Sequence, residues 1–75
     1  MRLRIIKTSF TIENEWLFLL SDGSSKEYFI MNSEFYKTHR LNSPITKHEL
    51  DYYDEGLWIT ATVEIIDNKR VVVGV

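Results

Sequence analysis

The chain has 75 residues, 44% apolar and 27% charged, which makes one small domain (residues 1–75) near the lower limit for independent folding. It has no cysteine, so disulfides and thiolate metal sites are excluded and the composition is consistent with a cytoplasmic protein. The formal net charge of -2 gives no bulk attraction to nucleic acid, no apolar run approaches the roughly 18 residues of a membrane span, and the apolar run in residues 1–7 is too short for a signal peptide.

Residues 2–12 read as a first strand. Leu3 and Ile5 share one parity, whereas Ile6, Thr8, Phe10 and Ile12 share the other, so a β-bulge is expected at Ile5-Ile6. Arg2, Arg4 and Lys7 gather basic charge on this strand. Residues 13–15 give a polar turn. Trp16-Leu17-Phe18-Leu19-Leu20 comes next, a strand apolar on both faces. Ser21-Asp22-Gly23-Ser24-Ser25 is a turn signal, and residues 26–31 return. A loop at residues 22–25 puts Trp16, Phe18 and Leu20 on one face with Phe29 and Met31, and Leu17 and Leu19 on the other with Tyr28 and Ile30. One face meets the core. The other is covered by the middle segment or by a partner, or is left exposed.

The β-alternation then stops. Asn32 or Ser33 can cap a short helix through residues 34–37. A second helix of about nine to twelve residues is expected to start at Ser43-Pro44, or at a Thr46–Glu49 capping box, and to end before Gly56. Its apolar stripe is thin (Ile45, Leu50, Tyr53), and Asp54 and Glu55 at its C-terminal end oppose the helix dipole.

The clearest signal is the C-terminal hairpin. Leu57, Ile59, Ala61, Val63 and Ile65 alternate with Trp58, Thr60, Thr62, Glu64 and Ile66, and residues 70–75 form the return strand. A three-residue loop over residues 67–69 sets Ile65 opposite Val71 and Val63 opposite Val73 on one apolar face. Turn chemistry instead favours a two-residue loop at Asp67-Asn68, since both tolerate positive φ. The apolar register is given the greater weight. Trp58 lies on the polar parity, either semi-exposed or packed under the helix.

The element order is β-β-β-α-β-β. It resembles the OB-fold, a small five-stranded, partly open barrel of the α+β class, mainly antiparallel, with a helix between its third and fourth strands. An SH3-like barrel, or an open sheet with one helix on a face, would produce the same order.

Catalytic and metal sites have little support. His39 and His48 are nine residues apart, and the acidic group Glu49, Asp51, Asp54 and Glu55 matches no zinc or calcium spacing. The serines sit in turn or cap contexts, and no nucleophile–base set is legible. No catalytic residue, metal ligand or cofactor is expected, and binding is the expected activity. OB-folds use the face of strands 2 and 3 with the loops joining strands 1–2 and 4–5. The resemblance implies that Trp16, Phe18 and Phe29, or alternatively Tyr28, offer stacking surfaces and that Lys69 and Arg70 contact phosphates. Glu13 and Glu15 in the first loop oppose this. Two partner classes are expected: single-stranded nucleic acid, or another protein, including a second copy of the chain in a homo-oligomer.

Overall fold

The computed structural model describes residues 1–9 and 15–75. Among these residues six strands are present: β1 (Arg2–Thr8), β2 (Trp16–Ser21), β3 (Tyr28–Met31), β4 (Trp58–Thr60), β5 (Thr62–Ile66) and β6 (Lys69–Gly74). One short helix, α1 (Ser33–Thr38), comes after β3. The strands form one mixed sheet in the order β4-β1-β2-β3-β6-β5, so the class is α+β. One expectation is corrected here: the strands make an open sheet with one short helix, the alternative named above, and not a barrel, with β4 and β5 as the sheet's edges. The sheet is mainly antiparallel as expected, and among the described strands β3 and β6 alone pair in parallel, through Tyr28–Arg70 and Phe29–Val71.

The long strand expected over residues 57–66 is divided at Ala61. Its first part pairs with β1 and its second with β6, at opposite edges of the sheet. Since one residue separates them, the two edges meet at a corner and the sheet must be rolled. Ala61 is buried there, and its N–H donates to the Met1 carbonyl at 2.7 Å.

The bulge expected in β1 is present, as a register shift between Ile5 and Lys7. A second bulge lies between Trp16 and Phe18 and corrects the assignment of faces. Trp16 pairs with Met31, as expected from the loop, but Phe18 pairs with Ile30 and Leu20 with Tyr28. Phe18 and Leu20 therefore face the main core with Tyr28 and Ile30, while Leu19 joins Phe29 on the opposite face. The extension of β1 toward residue 12 and most of the turn at residues 13–15 fall outside the described residues.

Each face of the sheet carries an apolar cluster. The main cluster is built from Leu3, Ile5, Phe18, Leu20, Ile30 and Val72, and the middle segment lays Ile45, Leu50 and Tyr53 on it. The second cluster holds Met31, Val71 and the fully buried Tyr36, with Phe35 of α1 packed alongside. Asn32 caps α1 as expected, its side-chain oxygen accepting from Phe35 N–H at 3.1 Å.

The second helix does not form. Glu49 Oε1 accepts from Thr46 N–H at 3.4 Å, one half of the capping box, and from the Thr46 hydroxyl at 2.9 Å. The chain then makes a single 3-10 turn, Leu50–Tyr52, closed by bonds of Tyr52 N–H to Glu49 O and Tyr53 N–H to Leu50 O. Asp51, Asp54 and Glu55 would crowd negative charge at a helix C-terminus, and the segment buries its apolar side chains without further helical turns. Gly56, at φ 93°, turns the chain so that its N–H donates to Ile5 O at 2.7 Å.

The hairpin loop has two residues, not three. Ile66 pairs with Lys69 and Ile65 with Arg70. Asp67 and Asn68 both have positive φ, 50° and 63°, as a type I′ turn requires. The apolar register does not hold because residues 57–66 are not one continuous strand with a single buried face. Ile65 lies outside the main cluster and is 68% exposed. Asn68→Val, which puts a β-branched residue in the left-handed region, is expected to cost about 1–2 kcal/mol. A denaturation midpoint equal to that of wild type would contradict the turn assignment.

Candidate functional site

The parallel pairing of β3 with β6 brings two distant loops side by side. The loop after β2 and the turn before β6 border a shallow groove of about 480 Å³. Phe29 lies in it half-buried, and Lys26, Lys69 and Arg70 supply three cations against two carboxylates, Glu27 in the lining and Glu15 paired with Lys69. Ser25 and Asn68 complete the lining.

Phe29, Arg70 and Lys69 are each held by a neighbour. Trp16 packs behind Phe29, with ring centroids 6.1 Å apart and planes tilted by 46°. The Arg70 guanidinium carbon lies 5.9 Å from the Tyr28 ring centroid. The Tyr28 hydroxyl in turn donates to Asp22 Oδ2 at 3.0 Å. Ser24 N–H donates to the other Asp22 oxygen at 2.9 Å, and Lys26 N–H to Ser24 Oγ at 3.1 Å. The polar loop over residues 22–25 is thus tied through Tyr28 to Arg70. Lys69 Nζ reaches Glu15 Oε2 at 2.9 Å, an ion pair on the surface and of the kind worth about 0–1 kcal/mol.

These bonds shift two ionisations. Hydrogen bonds from the Ser24 side chain and backbone, and then from Tyr28, pull the Asp22 carboxyl down to about 2. Burial, and then the bond to Asp22, push the Tyr28 phenol up. Because the folded-state value of Asp22 is depressed, its contribution to stability is present above the ordinary value of 3.8 and is lost as pH falls through about 2. An NMR titration of the Asp22 carboxyl and the Tyr28 ring should show a shared midpoint near 2. A midpoint at an ordinary carboxylate value would show the loop open.

The residues expected from sequence divide into two groups. Trp16, Phe29, Lys69 and Arg70 come together at or directly behind the groove. Phe18 and Tyr28 are drawn into the main cluster, 5% and 4% exposed, and present no ring face to solvent. Lys26, not among the residues expected from sequence, also lines the groove; the non-local β3–β6 pairing places it there, and nothing in the local sequence marks that pairing.

His39 serves the scaffold. Its ring stacks on Phe35 at 4.2 Å, its Nδ1 meets Phe35 O at 2.8 Å and its Nε2 meets Asp67 Oδ2 at 3.0 Å. His48 is exposed. Among the described residues, no three histidine or carboxylate side chains converge as a metal site, and no helix is long and apolar enough to cross a membrane. The groove offers an exposed aromatic edge beside clustered cations, a pairing suited to an anionic chain that carries flat apolar groups. No family model, no curated protein and no solved structure matches the chain.

Proposed function

We propose that the protein is a non-enzymatic module that binds single-stranded nucleic acid, with Phe29 as a stacking surface and Lys26, Lys69 and Arg70 as phosphate contacts. The observation that carries this reading is the groove itself, three cations around one half-buried aromatic ring. Local charge there is positive although the chain as a whole is not.

The architecture supports the reading. Counted as one bent strand, residues 58–66 leave five strands with α1 between the third and fourth, the OB-like order. The groove adjoins Phe29 of the third strand and the turn joining the last two strands, both of which OB-folds use. It departs from that pattern at the first loop, where Glu15 engages Lys69 instead of leaving it to a phosphate.

The test is fluorescence anisotropy of a labelled mixed-sequence single strand across a salt series. Three phosphate contacts give a slope of log Kobs on log salt near -2, a loss of about twentyfold for a fourfold rise in salt. Glu15→Gln removes the carboxylate that competes with a phosphate for Lys69, so it should tighten binding severalfold at low salt. No binding at low salt would refute the reading.

A second reading is self-association through the edge strand β5. It is favoured by Ile65, 68% exposed on a strand that, among the described residues, pairs on one side alone. Sedimentation that yields a monomer across the accessible concentration range would dismiss it.

A further inference from the structure

A second aromatic platform lies on the outer face of the sheet, at the β4 edge. Arg4 pairs with Trp58 and Arg2 with Thr60, and all four are exposed, whereas the adjacent pair Leu3–Ile59 is buried. Trp58 is 47% exposed, and the Arg2 guanidinium carbon sits 5.8 Å from its ring centroid. Arg4 also pairs with Ser21 of β2. Beyond the bulge, Lys7 pairs with Leu19, which pairs in turn with Phe29. One outward surface therefore runs from Trp58 across Arg4 and Lys7 to the Phe29 groove. It crosses three strand spacings, roughly 14 Å along the sheet.

Charge along this surface is of one sign at the paired positions. Among the described residues, Arg2, Arg4 and Lys7 form no ion pair. Glu55 lines a depression beside Arg4 together with Ile6 and Gly56. An exposed indole with a guanidinium over it can take a base on its ring while the cation meets the adjoining phosphate.

We infer that Trp58 is a second stacking site for the same nucleic-acid strand, with Arg2, Arg4 and Lys7 holding the backbone between it and Phe29. The inference rests on the nucleic-acid reading above but uses none of the same cations. A strand long enough to span both sites gains contacts that a short one filling the groove cannot reach.

The test uses the full chain carrying Trp16→Phe, which leaves Trp58 as the sole tryptophan, titrated with oligothymidines of about four and about sixteen nucleotides. The long oligomer should quench Trp58 and the short one should not. Trp58→Ala, made in the wild-type chain and followed by anisotropy of the labelled oligomer, should weaken the long oligomer about fivefold or more and leave the short one unchanged. Arg2→Gln/Arg4→Gln should flatten the salt slope of the long oligomer alone by about 1.4. Long and short oligomers affected alike, or a Trp58 signal unmoved by a long oligomer that binds, would overturn the second site and leave the groove standing. Quenching of Trp58 that survives Lys69→Glu/Arg70→Glu would support the second site and remove the groove. Failure of both oligomers to bind at low salt would overturn both.

Discussion

Tyr36→Phe should destabilise the protein by about 1–3 kcal/mol, a large loss for the removal of one oxygen atom. Tyr36 is 1% exposed, and its hydroxyl lies between two strands. It accepts from Met31 N–H at 3.2 Å and donates to Val72 O at 2.7 Å. The parallel backbone ladder of β3 and β6 ends at Phe29–Val71, just before this point. The hydroxyl therefore bridges the strands where their own bonding stops, and it anchors α1 to both. Phenylalanine would fill the space but leave a buried donor and a buried acceptor without that partner. For a domain of this size each kcal/mol lowers Tm by roughly 4–8 °C. Tyr36→Ala, which also opens a cavity, should cost about 3–5 kcal/mol. Tyr52→Phe is the control: Tyr52 is 76% exposed, and its change should stay within about 0.5 kcal/mol.

Alkaline pH gives an independent check. Burial pushes the Tyr36 phenol up to about 12 from an ordinary 10.0. A raised folded-state value means that the stabilisation is complete below 10.0 and is lost as pH rises through about 12. The Tyr36→Phe variant lacks this group, so part of its alkaline sensitivity should vanish. A Tyr36→Phe unfolding midpoint equal to that of wild type would mean that the hydroxyl bridge is not formed.

The second large effect is on binding. Lys69→Glu/Arg70→Glu should weaken single-strand affinity at least tenfold at low salt and flatten the salt slope by about 1.4, the share of two phosphate contacts. Lys26→Glu should remove about 0.7 more. The matched control is Lys37→Glu/Lys47→Glu, two exposed positions away from the groove, which changes net charge equally. Its slope should remain that of wild type. Equal losses in the two double variants would assign binding to overall charge. No loss in either would remove the groove as the site. Far-UV circular dichroism should be unchanged throughout, since the replaced side chains lie outside both apolar clusters.

Much of the local structure was legible from sequence. The parity change at Ile5-Ile6 located a real bulge, and Asn32 announced the cap it provides. The bulge after Trp16 was hidden because Trp16 to Leu20 is apolar throughout, and a run without alternation carries no information about faces. That bulge is why Phe18 and Tyr28 point inward. At the last hairpin two signals disagreed. Asp67-Asn68 specified the turn correctly, and the alternation through residues 57–66 misled because the strand changes partners at Ala61. Phe29, Lys69 and Arg70 were nominated by mapping residue type onto an element order that resembles the OB-fold. Lys26 was not, since its place beside them depends on a parallel pairing between segments some forty residues apart.

The division at Ala61 also bears on how the chain reaches its native state. β1 acquires its outer neighbour only from residues 58–60, and β3 acquires its second neighbour only from β6. Local hairpins can form early, but the rolled sheet is completed by contacts of high sequence separation, the kind that slows folding. During synthesis, residues 1–57 would hold β1, β2 and β3 as a three-stranded ribbon with both edges unpaired, a form prone to associate with other chains. Residues 58–74, synthesised after them, then cover both edges, β4 on one side and the β5–β6 hairpin on the other. Substitutions at the corner between them should therefore reduce the yield of soluble protein more than their equilibrium cost alone would imply.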